Sequence, residues 1–212
     1  MNGSSTTCAI IATGVANTAS VAAALRRIGL EPRATADPAE VERADLAVLP
    51  GVGSFAVGMA MLINTRNDRV VTERIAEGRP LLAVCLGMQL LGTQSEESPG
   101  VAGLGVVPHA VTAFPAGVGT PQFGWNRITA DGACDVLDKG FAYFANSFRY
   151  TDRPEGWHAA TADHGGPFIA AMERGNTLAC QFHPELSGPF GLGLIRRWAE
   201  RCGADLREQA AC

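Results

Sequence analysis

The run Pro80-Leu-Leu-Ala-Val-Cys85-Leu-Gly87-Met-Gln89-Leu-Leu91 constrains the fold more than any other stretch of the chain. Its first half is apolar without polar alternation, the pattern of a strand buried on both faces. The run then reaches a cysteine with small residues nearby, Ala83 and Gly87, and a helix is expected from about Gly87. A strand that turns sharply into a helix exposes the residue at the turn and leaves little room for bulk beside it. The helix N-terminus favours negative charge, so a thiol there is favoured as its nucleophilic thiolate. On residue type alone, an inert core cysteine is the ordinary reading, because free cysteines are usually buried. The strand–turn–helix frame is what raises Cys85 as a nucleophile.

The surrounding segments alternate in the same way. Short apolar runs at Cys8–Thr13 and Asp45–Leu49 read as buried strands, the second stopped by Pro50-Gly51. Asn17 caps a helix through Leu25 and Ile28 that ends at Gly29. A further helical stretch breaks near Asn64–Asn67. It resumes from Asp68 to Glu77, with Val70, Val71 and Ile75 on one side and Gly78 as the stop. Strands alternating with helices imply a parallel sheet covered on both faces. The second half reads as strands or hairpins at Gly105–Phe114, Trp125–Thr129, Phe141–Phe148, His158–Ala162 and Phe168–Phe182. A final helix is expected from about Gly191 to Arg201. The expected fold is therefore one mixed α/β domain over residues 1–212, with a mostly parallel central sheet, flanking helices and a nucleophile elbow at Cys85.

A cysteine nucleophile needs a base. Of His109, His158, His164 and His183, the last sits in Gln181-Phe-His183-Pro-Glu185, after the apolar run Thr177–Phe182. In extended chain, residues two apart point the same way, so Glu185 can orient the His183 imidazole toward Cys85. A lone His-x-Glu is more often a surface pair. The loop Pro50-Gly51-Val52-Gly53 lets backbone N–H groups approach a ligand closely. With the Leu86 N–H it can form an oxyanion hole, although alone it is an ordinary turn.

Composition narrows the classes. A chain of 212 residues, 47% hydrophobic and 18% charged, can bury a large core. Its formal charge of −4 gives no broad basic face for nucleic acid. The polar start is not a signal peptide, and no apolar run is long enough to span a membrane. The six cysteines (Cys8, Cys85, Cys134, Cys180, Cys202 and Cys212) form no CxxC pair. No metal site and no cofactor is expected, and reduced thiols in a cytoplasmic protein are.

Together these segments resemble the class I (triad) glutamine amidotransferases, and among them the glutaminase subunits of imidazole glycerol phosphate synthase. The matching residues run nearly end to end. They are Gly14 with Asn17, Leu49-Pro-Gly-Val-Gly-Ser-Phe55, Val84-Cys-Leu-Gly-Met-Gln-Leu-Leu91, Ser95-Glu-Glu97 and Gly103-Leu-Gly-Val-Val-Pro108. They continue with Gly124-Trp-Asn126, Tyr143-Phe144 with Ser147, and Gln181-Phe-His-Pro-Glu185 with Ser187. Cys-Leu-Gly-Met-Gln with His-Pro-Glu marks the class, and the Pro-Gly-Val-Gly loop with Gly-Trp-Asn marks the narrower group.

The resemblance implies a Cys85–His183–Glu185 triad that hydrolyses glutamine through a glutamyl thioester. It implies oxyanion donors at Val52 or Gly53 and at Leu86, with Gln89 and Ser147 holding the glutamine. It also implies a (β/α)8-barrel cyclase partner that receives the ammonia in histidine biosynthesis, docked on the side of Asn17 and Trp125. Four departures from the family pattern span five positions: Ala83 for Gly, Asn146 for His before Ser147, Gln122-Phe123 for His-Met, and Leu186 for Lys after Glu185. The last three leave other readings open: a paralogue serving another acceptor, or a regulatory subunit that kept the fold. A pyridoxal phosphate synthase glutaminase usually carries Gly-Gly-Glu-Ser at the Pro50–Gly53 loop. A stand-alone γ-glutamyl hydrolase lacks the Trp125 motif.

Overall fold

The computed structural model describes residues 6–12 and 18–206. The expected helix cap at Asn17 lies outside the described residues. Eleven strands and six α-helices follow in chain order: β1 Thr7–Ile11, α1 Thr18–Arg27, β2 Glu31–Thr35, α2 Pro38–Arg43, β3 Leu46–Leu49, α3 Phe55–Thr65, α4 Asn67–Ala76, β4 Leu81–Val84, α5 Leu86–Leu90, β5 Thr112–Ala113, β6 Gln122–Ala130, β7 Gly140–Asn146, β8 Phe148–Arg149, β9 His158–Asp163, β10 Pro167–Arg174, β11 Thr177–Cys180 and α6 Gly188–Arg201. Nine strands form one sheet in the order β2-β1-β3-β4-β11-β10-β9-β6-β7. Its first five strands run parallel, and β10, β9, β6 and β7 continue it antiparallel.

The parallel half follows from its sequence. In β3, β4 and β11 every residue is buried. Successive side chains point to opposite faces, and they divide cleanly between two cores. Ile10, Val48, Leu82, Val84 and Leu178 join Val21 and Leu25 of α1 and Leu194, Ile195 and Trp198 of α6. Ile11, Ala47, Leu49, Leu81, Ala83 and Ala179 join Phe55, Met59 and Leu62 of α3, Val71 and Ile75 of α4, and Met88 and Leu90 of α5. Both faces are covered, as the unbroken apolar runs require.

Two expectations are corrected, and two elements went unread. Gly105–Phe114 is not a continuous strand: only Thr112–Ala113 pairs with β8, and Val111 makes a single bridge to Ser95. The rest is irregular chain pinned by Val107 N–H to the Leu91 carbonyl and Val111 N–H to the Gln94 carbonyl. Its valines are apolar because they plug the core under a loop. The Phe141–Phe148 strand breaks at Ser147 into β7 and β8. Finally, β2 and α2 give no apolar signal. The β2 sequence Glu-Pro-Arg-Ala-Thr is mostly exposed, which suits an edge strand carrying proline.

The break near Asn64–Asn67 is real, and Arg66 makes the corner between α3 and α4 at φ 61°. Buried Arg74 ties this half together. Its guanidinium donates to the carbonyls of Val41, Glu42, Ala44, Asp45 and Pro80, joining α2 to the starts of β3 and β4. No helix among the described residues is long and apolar enough to cross a membrane.

Candidate active site

Cys85 sits where β4 ends and α5 begins, with φ 53° and ψ −111°. Among the described residues only Arg66 and Cys85 hold a positive φ without being glycine. Such strain persists only where the surroundings fix it. Here the Cys85 N–H donates to the Cys180 carbonyl at 2.7 Å, and its own carbonyl accepts from the Gln89 N–H at 3.2 Å. Two glycines permit the turn. A Cβ on Gly87 would collide with the Leu49 carbonyl oxygen, and one on Gly51 would lie 2.7 Å from Leu86 Cβ. The loop after β3 therefore packs directly on the elbow.

His183 follows β11, held by its N–H to the Tyr143 carbonyl at 2.9 Å. Its Nδ1 lies 2.8 Å from Glu185 Oε1, with only 9% and 4% of the two side chains exposed. The pair does not arise from extended chain as expected. His183 is extended, but Pro184–Leu186 forms one turn of 3-10 helix that folds Glu185 back onto the ring. Ser187 holds this turn, donating to the His183 carbonyl at 2.6 Å and accepting from the Tyr143 N–H at 2.9 Å. Burial alone pushes the His183 pKa down. Hydrogen bonds to Cys85 and Glu185 and the charges of both outweigh it, and the pKa stands at about 10. The site thus favours an imidazolium between a carboxylate and the sulfur.

Cys85 and His183 open into a cleft of about 200 Å³ that Val52, Gly53, Leu86, Gln89 and Ser147 also line. It is smaller than the roughly 300–1,000 Å³ of drug-sized sites, a scale suited to one amino acid. All expected oxyanion and substrate positions therefore border one cleft. Trp125 does not: it is 58% exposed on the outer face of β6, beside Phe123 at 70%. Asn17 lies outside the described residues.

Two details qualify the expected roles. The Leu86 N–H is occupied, donating to the Gly51 carbonyl at 3.4 Å. Gln89 Nε2 is also engaged, with the Phe148 carbonyl at 3.2 Å and Gln181 Oε1 at 3.0 Å.

Sequence reasoning missed the placement of two cleft residues and of one buried residue behind Cys85. Glu97 lines the cleft and accepts from the Phe55 N–H at the start of α3 at 2.6 Å. Gln181 Nε2 lies 3.7 Å from Cys85 Sγ. Asn146, noticed only as a departure, lines the cleft wall. Its cross-strand neighbour in the β6–β7 ladder is Gln122, the other departure. Two substitutions distant in sequence are thus one buried pair of carboxamides.

The other described cysteines lie outside the cleft. Burial pushes Cys8 and Cys134 up to about 12 and Cys202 to about 11, and it also raises Cys180. All four stay thiols at neutral pH. Two larger cavities, about 330 Å³ between β1, β2 and α2 and about 410 Å³ beside Asp131, share no residue with the cleft.

Comparison with known proteins gives the family. Residues 2–200 match the family model "Glutamine amidotransferase class-I". The chain is 40% identical over 196 residues to imidazole glycerol phosphate synthase subunit HisH of Streptococcus gordonii, covering 90% of this chain and 94% of that protein. It is 38% identical over 192 residues to the chloroplastic imidazole glycerol phosphate synthase hisHF of Arabidopsis thaliana, covering 87% of this chain and 32% of that protein. A solved structure described as a glutamine amidotransferase superposes with a TM-score of 0.76 at 22% identity, over 93% of this chain and 99% of that one, a likeness of fold. The chain therefore belongs to the class-I glutamine amidotransferases and, within them, to the HisH family.

Proposed function

We propose that this chain is the glutaminase subunit of an imidazole glycerol phosphate synthase, with Cys85 as nucleophile, His183 as acid and base, and Glu185 orienting the imidazole. The observation that carries the reading is His183, buried between Glu185 and the elbow cysteine in a cleft of amino-acid size. The Cys85 thiolate attacks the side-chain carbonyl of glutamine and forms a C–S bond. His183 gives its proton to the departing nitrogen as the C–N bond breaks, and ammonia leaves. Neutral His183 then takes a proton from water, which attacks the thioester. The C–S bond breaks, glutamate leaves, and the thiolate–imidazolium pair returns. Glu97 brings a carboxylate to the cleft that suits the α-ammonium of glutamine, and Ser147 lines the same cleft.

The oxyanion hole needs a change of state. Gly51 O and Val52 N belong to one peptide plane. Turning that plane frees the Leu86 N–H from the Gly51 carbonyl and swings the Val52 N–H the opposite way, presenting two donors together. A missing donor costs about 10²–10³ in rate, so this peptide alone serves as a switch, with Gly53 at φ 98° as a permissive neighbour. A partner favours the competent state only by binding it better.

The partner we propose is a (β/α)8-barrel cyclase. It adds the ammonia to a phosphorylated ribulosyl aminoimidazole carboxamide nucleotide. The Arabidopsis relative, in which the match occupies 32% of a chain named hisHF, supports a partner joined to this one. Exposed Phe123, Trp125 and Phe141 on the outer β6–β7 face offer it an apolar patch.

The test is peptide mass mapping after a glutamine-mimicking electrophile. The adduct is expected on Cys85 and is blocked by excess glutamine. An adduct spread over Cys134 and Cys202 would refute the reading.

A further inference from the structure

Cys85 has a second polar neighbour besides His183. Gln181 has no exposed surface, and its Nε2 lies 3.7 Å from Cys85 Sγ. The orientation of this amide is fixed from outside. Gln89 Nε2 faces the Phe148 carbonyl, which can only accept, so that atom is the NH2 of Gln89. The same nitrogen meets Gln181 at 3.0 Å and requires an acceptor there. Oε1 takes that place, and the Gln181 NH2 is thereby turned onto the sulfur. The Phe148 carbonyl is held in turn by Asn146 Nδ2 at 3.0 Å. Three carboxamides and one peptide carbonyl form a chain that ends on the nucleophile.

We propose that Gln181 is a catalytic residue that donates an N–H to the Cys85 thiolate, and that Gln89 is the positioning residue that aims it. The proposal rests on the reading of Cys85 as nucleophile. Its logic is a division of labour. His183 stabilises the thiolate but must give its proton to ammonia in the first half-reaction. A carboxamide holds negative charge without surrendering a proton, so it still faces the sulfur when His183 is neutral. Thiolate is regenerated in the second half-reaction: His183 takes a proton from the water that adds to the thioester, the C–S bond breaks, and its electron pair returns to sulfur, where Gln181 has stayed in place throughout. Buried donors to an ionised acceptor are among the stronger hydrogen bonds, and Gln181 is sealed from water. Gln89 makes its contribution through Gln181 and Phe148, a task distinct from holding glutamine directly.

A purely structural Gln181 would serve only to bind Gln89, and two variants separate the roles. Gln181→Glu keeps an acceptor for Gln89 and removes the donor. Gln181→Met keeps the length of the side chain and removes both. The measurement is the rate of Cys85 alkylation by iodoacetamide across pH, with the modified residue identified by peptide mass mapping and folding checked by thermal unfolding. In both variants the neutral-pH rate is expected to fall about tenfold or more, and the rate–pH curve to move to higher pH. The limiting rate at high pH stays at or above wild type, because a less stabilised thiolate is the more nucleophilic. A collapsed site would lower that limit instead. Glutamine hydrolysis with the partner loses kcat with little change in KM. If the carboxylate of Gln181→Glu prevents folding, Gln181→Met decides alone. A folded variant with the wild-type alkylation profile overturns the proposal. Wild-type label on another cysteine overturns the nucleophile reading itself.

Discussion

In the proposed mechanism the protonation state of His183 carries most of the chemistry. Its pKa, raised to about 10, means that the imidazolium persists through neutral pH. A folded pKa above the unfolded 6.5 gives stability that is fully present below pH 6.5 and is lost as pH rises through about 10. Activity that needs the imidazolium as acid is therefore expected to fall on the alkaline side, with a limb displaced from 6.5 toward 10. Glu185 is one source of the displacement, so Glu185→Gln should move that limb to lower pH in a kcat/KM profile. An unmoved limb would remove Glu185 from the role. Glu185→Gln is expected to cost about two orders of magnitude less than His183→Ala, by analogy with triads in which the orienting acid is the mildest loss. The effects will not add, because the three act as a unit. The juxtaposition of His183 and Glu185, and the elbow at Cys85, were legible in the sequence because each lies in a short motif. Gln181 and Glu97 were not. One acts on a cysteine 96 positions away and the other on an amide 42 positions away, and no local spacing reveals such contacts.

At the scale of elements, the sequence yields what packing dictates. The parallel strands are legible because both faces are buried, and the helix breaks because Gly29 and Gly78 sit where the chain turns, at φ 94° and 71°. The Gly105–Phe114 segment misleads because Val107 and Val111 are wholly buried without pairing as a strand. The edge strand β2 hides because it buries almost nothing. Three predictions belong here. Gly87→Ala forces a methyl into the Leu49 carbonyl, so the elbow must open. A stability loss of about 1–3 kcal/mol in chemical unfolding is expected, with glutaminase activity falling further than stability explains. Arg74→Met strands buried carbonyls of α2, β3 and β4 without a donor. It should cost about 3 kcal/mol or more while leaving Cys85 alkylation in the folded fraction unchanged. Gln122 and Asn146 face one another in the ladder. Restoring histidine at both is therefore expected to differ from the sum of the single changes by more than about 0.5 kcal/mol. Strict additivity in unfolding free energy would separate them.

In the whole molecule, a strained elbow at Cys85 and an exposed aromatic face of Phe123, Trp125 and Phe141 support the proposal of a subunit whose chemistry waits for a partner. Trp125→Ala is expected to weaken docking in a titration with the barrel subunit, yet to leave labelling of Cys85 in the isolated chain unchanged. Leu186, 43% exposed beside the triad, adds an apolar residue where the family pattern has lysine. Leu186→Lys should therefore alter docking before it alters chemistry. The most direct measurement is glutamate release from glutamine by the complex with the barrel partner and its nucleotide ligand, comparing wild type with Cys85→Ser. The expected result is steady release by wild type, far slower release by wild type without the partner, and a loss of about 10³-fold or more in Cys85→Ser. Wild-type turnover by Cys85→Ser in that complex would contradict the account.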